Sequence, residues 1–121
     1  MTVLDAKTFD SPDEVRPFAS RGRLEVVNVG GVPVGKGTFE PGWRWSEHVR
    51  PIAGTLSCQA SHVGYMMSGR MRVVMDDGTE AEAGPGMVVV IEPGHDAWTV
   101  GDEACVFLDF GASVGQYAHP G

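Results

Sequence analysis

The residues of this 121-residue sequence best equipped for chemistry are His48, Cys58, His62 and His95, with Trp43, Trp45 and Trp98 near them in the chain. Three imidazoles and a thiol are competent ligands for a first-row transition metal. Imidazole suits Zn, Cu, Fe and Ni, and thiolate favours Zn or another soft ion. Cys58 stands four residues before His62, so in a regular strand both side chains would face the same way. Plainer readings stand beside this one. His48 could be a loop histidine beside Glu47, Cys58 a small buried hydrophobe, and His62 and His95 ordinary hydrogen-bonding groups in an interior. The remaining histidine, His119, lies at the far end of the chain. Cys105, in the apolar run Cys105 to Leu108, reads as core, and Met66, Met67, Met71 and Met75 as adaptable core filler. The tryptophans could line a pocket and stack on a ligand, or plug a core, or form a dimer face. Trp98, which follows His95-Asp96-Ala97, is assigned to the pocket. There is no G-x-S-x-G, no serine convincingly paired with His and Asp, no phosphate loop and no dinucleotide fingerprint, and the Gly-rich segments read as turns.

Groups so far apart in sequence need a scaffold to bring them together, and the chain reads as short strands between turns. Leu24, Val26 and Asn28, then Val32 and Val34, are β-like runs broken by Gly30-Gly31. Cys58–Met67, Met71–Met75, Met87–Ile91 and Ala104–Phe110 follow as strands, with Glu80 to Ala83 and Ala97 to Val100 as shorter ones. Asp77-Gly78 is a hairpin signal, and Pro93-Gly94 a turn. Seventeen Gly and eight Pro without a G-X-Y period fit this pattern of many tight turns. Ser11 to Glu14 could open one helical turn, with Ser11 as N-cap and Pro12 at N1, limited by Pro17. Trp43 to Ser57 reads as irregular. The pattern predicts an all-β sandwich or barrel.

Hydrophobic residues are 42% of the chain and charged residues 21%, enough for one domain with one core. The net charge of −7 disfavours nucleic acid and anionic membranes as partners. No stretch approaches the ~20 apolar residues of a spanning helix, and the start lacks a signal-peptide pattern. The expected compartment is cytoplasmic, with both cysteines as thiols.

Two blocks, His62-Val63-Gly64-Tyr65-Met66-Met67-Ser68-Gly69 and Gly86-Met87-Val88-Val89-Val90-Ile91-Glu92-Pro93-Gly94-His95, resemble the two signature motifs of the cupin superfamily. Those motifs normally read G-x5-H-x-H-x3-4-E-x6-G and G-x5-P-x-G-x2-H-x3-N. Sixteen residues separate Gly69 from Gly86, room for the two strands and hairpin between them. The resemblance covers roughly residues 36–110. It implies a jelly-roll β-barrel, the cupin-like double-stranded β-helix, of two packed antiparallel sheets with a pocket between. The domain is expected over 21–111, after an irregular N-terminal lead-in, 1–20, and before a C-terminal tail, 112–121.

The ligand positions depart from the usual three His and one Glu. Gly42 and His48 keep the opening spacing of the first motif, Arg50 stands at its second histidine, and His62 takes the place of its glutamate. In the second motif Ala97 replaces the histidine, with His95 two residues earlier. The resemblance thus implies a metal set of His48, Cys58, His62 and His95, most simply holding Zn, with Fe, Ni or Cu as alternatives. Trp98, Trp45 and Trp43 would line the ligand pocket. The family implies oxygenase, isomerase, epimerase or decarboxylase chemistry on a small organic molecule. A metal-free barrel that binds a small ligand, or serves only dimerisation, is the competing reading. A homodimer is expected, through the tail from Gly111 and exposed Trp.

Overall fold

The computed structural model describes residues 3–118. The strands are β1 Glu14–Pro17, β2 Gly22–Val29, β3 Val32–Phe39, β4 His62–Ser68, β5 Arg70–Met75, β6 Glu80–Ala83, β7 Val88–Ile91, β8 His95–Val100 and β9 Cys105–Asp109. They form an antiparallel six-stranded sheet, β1-β2-β3-β9-β4-β7, facing a three-stranded sheet, β6-β5-β8. This is the expected all-β architecture. Period-two alternation decides which side chains go inward. On β4, His62, Gly64 and Met66 are buried while Val63, Tyr65 and Met67 face out. On β8, His95, Ala97 and Thr99 are the buried set, and on β9 it is Cys105, Phe107 and Asp109.

The core between the sheets is aromatic at one end, where Phe18, Phe39 and Trp43 pack together with ring centroids 4.5 to 5.9 Å apart. Gly78, at φ +91°, closes the β5–β6 hairpin, and Gly94, at φ +95°, turns the chain into β8. Both positions sit where an L side chain is strained.

Four expectations are corrected. The first concerns Ser11 to Glu14, which opens no helical turn. Asp13 N–H donates to the Val26 carbonyl, and β1 then pairs with β2. The second concerns Trp43 to Ser57, which holds two single-turn helices, α1 Trp45–His48 and α2 Arg50–Ala53, with Pro51 in the first turn of α2. The third concerns Cys58 to Ser61, which lie ahead of β4, so Cys58 is joined to the fold by an isolated bridge to His95. Residues 111–118, expected as a loose or partner-crossing tail, fold back in turns with Val114, Tyr117 and Ala118 buried. The buried Arg16 guanidinium holds them, donating to the Val114 and Tyr117 carbonyls at 2.9 Å each. His119 lies outside the described residues. No helix among the described residues is long and apolar enough to cross a membrane.

Candidate metal centre

Cys58, His62 and His95 converge, all buried, with one ligand atom from each lying within 4.8 Å of the others. Each arrives by a different route. His62 is the first residue of β4 in the larger sheet, and His95 the first of β8 in the smaller one. Cys58 is pinned to the turn before β8. Its N–H donates to the His95 carbonyl at 2.7 Å, and the Gly94 N–H donates to the Cys58 carbonyl at 2.7 Å. The triad therefore bridges the two sheets.

Hydrogen bonds fix which ring nitrogens are free. His95 Nδ1 lies 2.8 Å from the Glu92 carbonyl oxygen. A carbonyl only accepts, so Nδ1 carries a proton, and in the neutral ring Nε2 is the nitrogen with the lone pair. His62 Nδ1 donates to Asp109 Oδ2 at 2.6 Å, leaving Nε2 3.7 Å from Cys58 Sγ. The other Asp109 oxygen accepts the Gly111 N–H at 2.8 Å. The imidazoles of His62 and His95 meet edge-on with centroids 5.2 Å apart, and the Tyr117 ring covers His62 at the same distance.

The charges reinforce one another. Burial opposes ionisation of the Cys58 thiol, but hydrogen bonds and charge from His62 and His95 outweigh it and bring its pKa down to about 6. Burial likewise opposes the His62 imidazolium, but Asp109 and Cys58 outweigh it and raise His62 to about 9. A thiolate beside an imidazolium, itself backed by a carboxylate, is the resting state this geometry favours without a metal. Burial, followed by the charges of Cys58 and Asp109, pushes the Tyr117 phenol well above its ordinary value, so it stays protonated.

Two spaces flank the triad. A cavity of about 40 Å³ between the sheets is lined by His62 and His95 together with Trp43, Trp45, Phe107 and Tyr117. A cleft of about 570 Å³ lies on the other side, against α1, α2 and residues 113–118, and Cys58 is on its wall. Trp45 and Tyr117 border both spaces. Among the described residues, neither the Trp43 nor the Trp45 indole N–H has a hydrogen-bond partner, although both are buried.

Two candidates stand elsewhere. His48 is on α1, where its Nδ1 accepts the Arg44 N–H at 3.0 Å and its Nε2 lies 4.0 Å from Glu47. It closes a helical turn and is not part of the cluster. Trp98 is on the outward side of β8, out of step with His95 by one extra residue, and the Arg44 guanidinium lies 4.4 Å over its ring. It clamps the chain segment before α1 and does not line the cavity. Asp109 and Tyr117 were not anticipated. Asp109 carried a signal, being a carboxylate in phase with the inward Cys105 and Phe107. Tyr117 carried none, because it belongs to no periodic segment.

Solved structures similar to this chain include the polyketide cyclase RemF from Streptomyces resistomycificus, at a TM-score of 0.62 and 19% identity over 88% of this chain and 77% of that one. A Klebsiella pneumoniae protein with a double-stranded β-helix domain matches at a TM-score of 0.52 and 22% identity, over 86% of this chain and 80% of that one. The Lactobacillus farciminis oxalate decarboxylase matches at 0.62 and 15% identity, over 90% of this chain but 32% of its own length. The fold is cupin-like. No protein-family profile and no curated sequence matches the chain. These likenesses carry the double-stranded β-helix architecture, and the chemistry must be argued from the site.

Proposed function

We propose that this cupin-like barrel binds one divalent transition metal through Cys58 Sγ, His62 Nε2 and His95 Nε2, and that a small organic molecule meets it there. The observation that carries the reading is the convergence of three buried donor groups whose lone pairs are turned to one another by outer partners. Asp109 holds His62 and the Glu92 carbonyl holds His95, the arrangement that fixes tautomer and ring orientation at metal sites. One thiolate with two imidazoles suits Zn, and three protein ligands leave a coordination position for water or substrate. The metal would supply Lewis acidity at that position.

The small-molecule part rests on the cavity. A water needs roughly 10–15 Å³ of such space, so about 40 Å³ beside the triad admits only a small group. Trp43 and Trp45 line that cavity, and their indole N–H groups are buried without a partner among the described residues, so a ligand with an acceptor oxygen that reached them would be favoured. The larger cleft on the Cys58 side is of the size that holds a whole small ligand. The indole donors also support the metal-free alternative, in which the cavity binds the ligand with no ion.

Metal analysis of untagged protein, purified without chelator, tests the reading. About one equivalent of metal is expected, falling well below half in Cys58→Ser, His62→Ala and His95→Ala. His48→Ala should retain it. Metal-free wild-type protein that also fails to bind added Zn would sink the proposal and leave the metal-free pocket.

A further inference from the structure

Cys58, His62 and Asp109 are linked through one imidazole ring. Cys58 Sγ lies 3.7 Å from His62 Nε2, and Nδ1 of the same ring donates to Asp109 Oδ2 at 2.6 Å. The second Asp109 oxygen accepts the Gly111 N–H at 2.8 Å, so the carboxylate is fixed in its turn. A nucleophile, a base in contact with it and a third group that orients the base make a catalytic triad, which is recognised by geometry and roles and not by order in the chain. The other cysteine has no such partners. Cys105 Sγ donates to the Arg70 carbonyl at 2.9 Å, and burial pushes its thiol up to about 11. It is the inert kind of buried thiol.

The two cysteines also differ in access. Cys58 stands on the wall of the cleft of about 570 Å³, and Cys105 does not. A cleft of that size holds a small ligand. None of the described residues lining it is charged: Trp45 and Tyr117 supply apolar surface, and Thr55, Gln59 and Gln116 neutral polar groups. A charged ligand would leave water there without a counter-charge, which is costly, so the cleft favours an uncharged one.

We infer that Cys58, when no metal holds it, is the nucleophile of a hydrolytic acyl transfer on small uncharged carboxylic esters, with His62 as acid and base and Asp109 positioning His62. Sγ attacks the ester carbonyl carbon, a C–S bond forms, and the carbonyl π electrons move to oxygen. As the carbonyl re-forms, the C–O bond to the alcohol breaks, and the departing alkoxide takes the proton from His62 Nε2. Water then attacks the thioester carbon and gives a proton to Nε2, the C–S bond breaks, and the acid departs with Cys58 restored. The sum is ester plus water to acid plus alcohol, with no oxidant or reductant. A metal on Sγ and Nε2 would occupy both reacting atoms, so coordination and acyl transfer exclude each other.

The test uses the full chain, stripped with chelator, and p-nitrophenyl acetate. Nitrophenolate should appear in a burst of about one equivalent followed by slower steady release, and mass mapping should find the acetyl group on Cys58. Cys58→Ser should lose the burst, and Cys105→Ser should keep it. His62→Gln should slow acylation about 100-fold or more. Asp109→Asn should slow it too, lowering the rate at saturating ester and leaving the half-saturating ester concentration nearly unchanged. p-Nitrophenyl butyrate should react much as the acetate does, whereas the hemisuccinate, similar in length but anionic, should react about tenfold more slowly or worse. Mass mapping on the wild type decides the matter if a variant fails to fold. A burst before Zn is added supports the nucleophile, and its survival in excess Zn would count against coordination alone. No burst in the metal-free wild type, acetylation that leaves Cys58 unmodified, release that stops at one equivalent, or equal rates for butyrate and hemisuccinate would overturn the inference.

Discussion

Asp109 does two things at the site: it holds the His62 ring by Nδ1–H and stabilises its positive charge. Asp109→Asn keeps an oxygen that can accept the Nδ1–H but removes the charge. Metal affinity should fall about 10- to 100-fold, as for other outer partners of metal-bound histidine. Competition against a chromophoric chelator would measure it, and unchanged affinity would show that Asp109 serves only packing. The pH dependence follows from the same pair. A metal needs His62 Nε2 unprotonated, yet below about 9 that ring holds its second proton, while above about 6 Cys58 is already a thiolate. Between those values one proton must leave as the metal enters, so affinity should rise about tenfold per pH unit. Below 6 the slope should steepen, because the thiol must also ionise. Raising the pH removes the competing proton, so the sign is toward tighter binding. Competition titrations from about pH 5.5 to 8.5 would read the slope directly. A flat profile would place His62 outside the coordination sphere.

Each site residue owes its place to the strand that carries it, and β4 shows how tightly that place is set. Gly64, next in phase after His62, lies against β9 so closely that a methyl group would run into the Leu108 carbonyl oxygen and meet the Phe107 ring at 2.5 Å. Gly64→Ala should therefore cost about 2–3 kcal/mol or more, since backbone must move to admit it. Gly115, with no described residue within 4 Å of a new Cβ, should tolerate Ala within about 0.5 kcal/mol. Chemical denaturation of the two variants would check the contrast. Element scale is also where the sequence was most legible. The inward rows of β4, β8 and β9 follow simple alternation, and Asp77-Gly78 and Pro93-Gly94 mark turns at their true positions. Alternation also placed His62 on a strand, whereas the strand expected over Ala97 to Val100 begins two residues after His95, which is the first residue of β8. Alternation could not place Cys58, which is held by a bridge to a residue 37 positions later, nor show that His48 would turn back onto its own helix. Trp98 was misplaced by reading the order of residues along β8 without its phase: one residue past Ala97 is the other side of the sheet. Tyr117 and Arg16 depend on a long-range hydrogen-bond set that no local pattern announces.

At the scale of the whole molecule, the triad joins parts that the hydrogen-bond ladders keep apart. His62 belongs to the six-stranded sheet and His95 to the three-stranded one, and no ladder pairs a strand of one with a strand of the other. The two layers are held by packing of side chains between them, with isolated bridges such as Cys58 to His95 at the rim. A metal bound by all three residues would cross-link both sheets and the Cys58 segment at one point. The unfolded chain has no such preformed site, so binding energy becomes folding energy. At metal concentrations about 100 times the dissociation constant, the folded state gains about 2.7 kcal/mol. For a chain of this length that corresponds to a rise in Tm on the order of 10 °C. Adding Zn to chelator-stripped protein should produce the rise, and excess chelator should reverse it. Because the gain depends on tying β4 to β8, His95→Ala should abolish the increment as fully as His62→Ala, although they sit in different sheets. His48→Ala, whose ring only closes α1, should keep it. A wild-type Tm unmoved by metal would mean that the sheets are not bridged through this site, whatever metal the protein carries elsewhere.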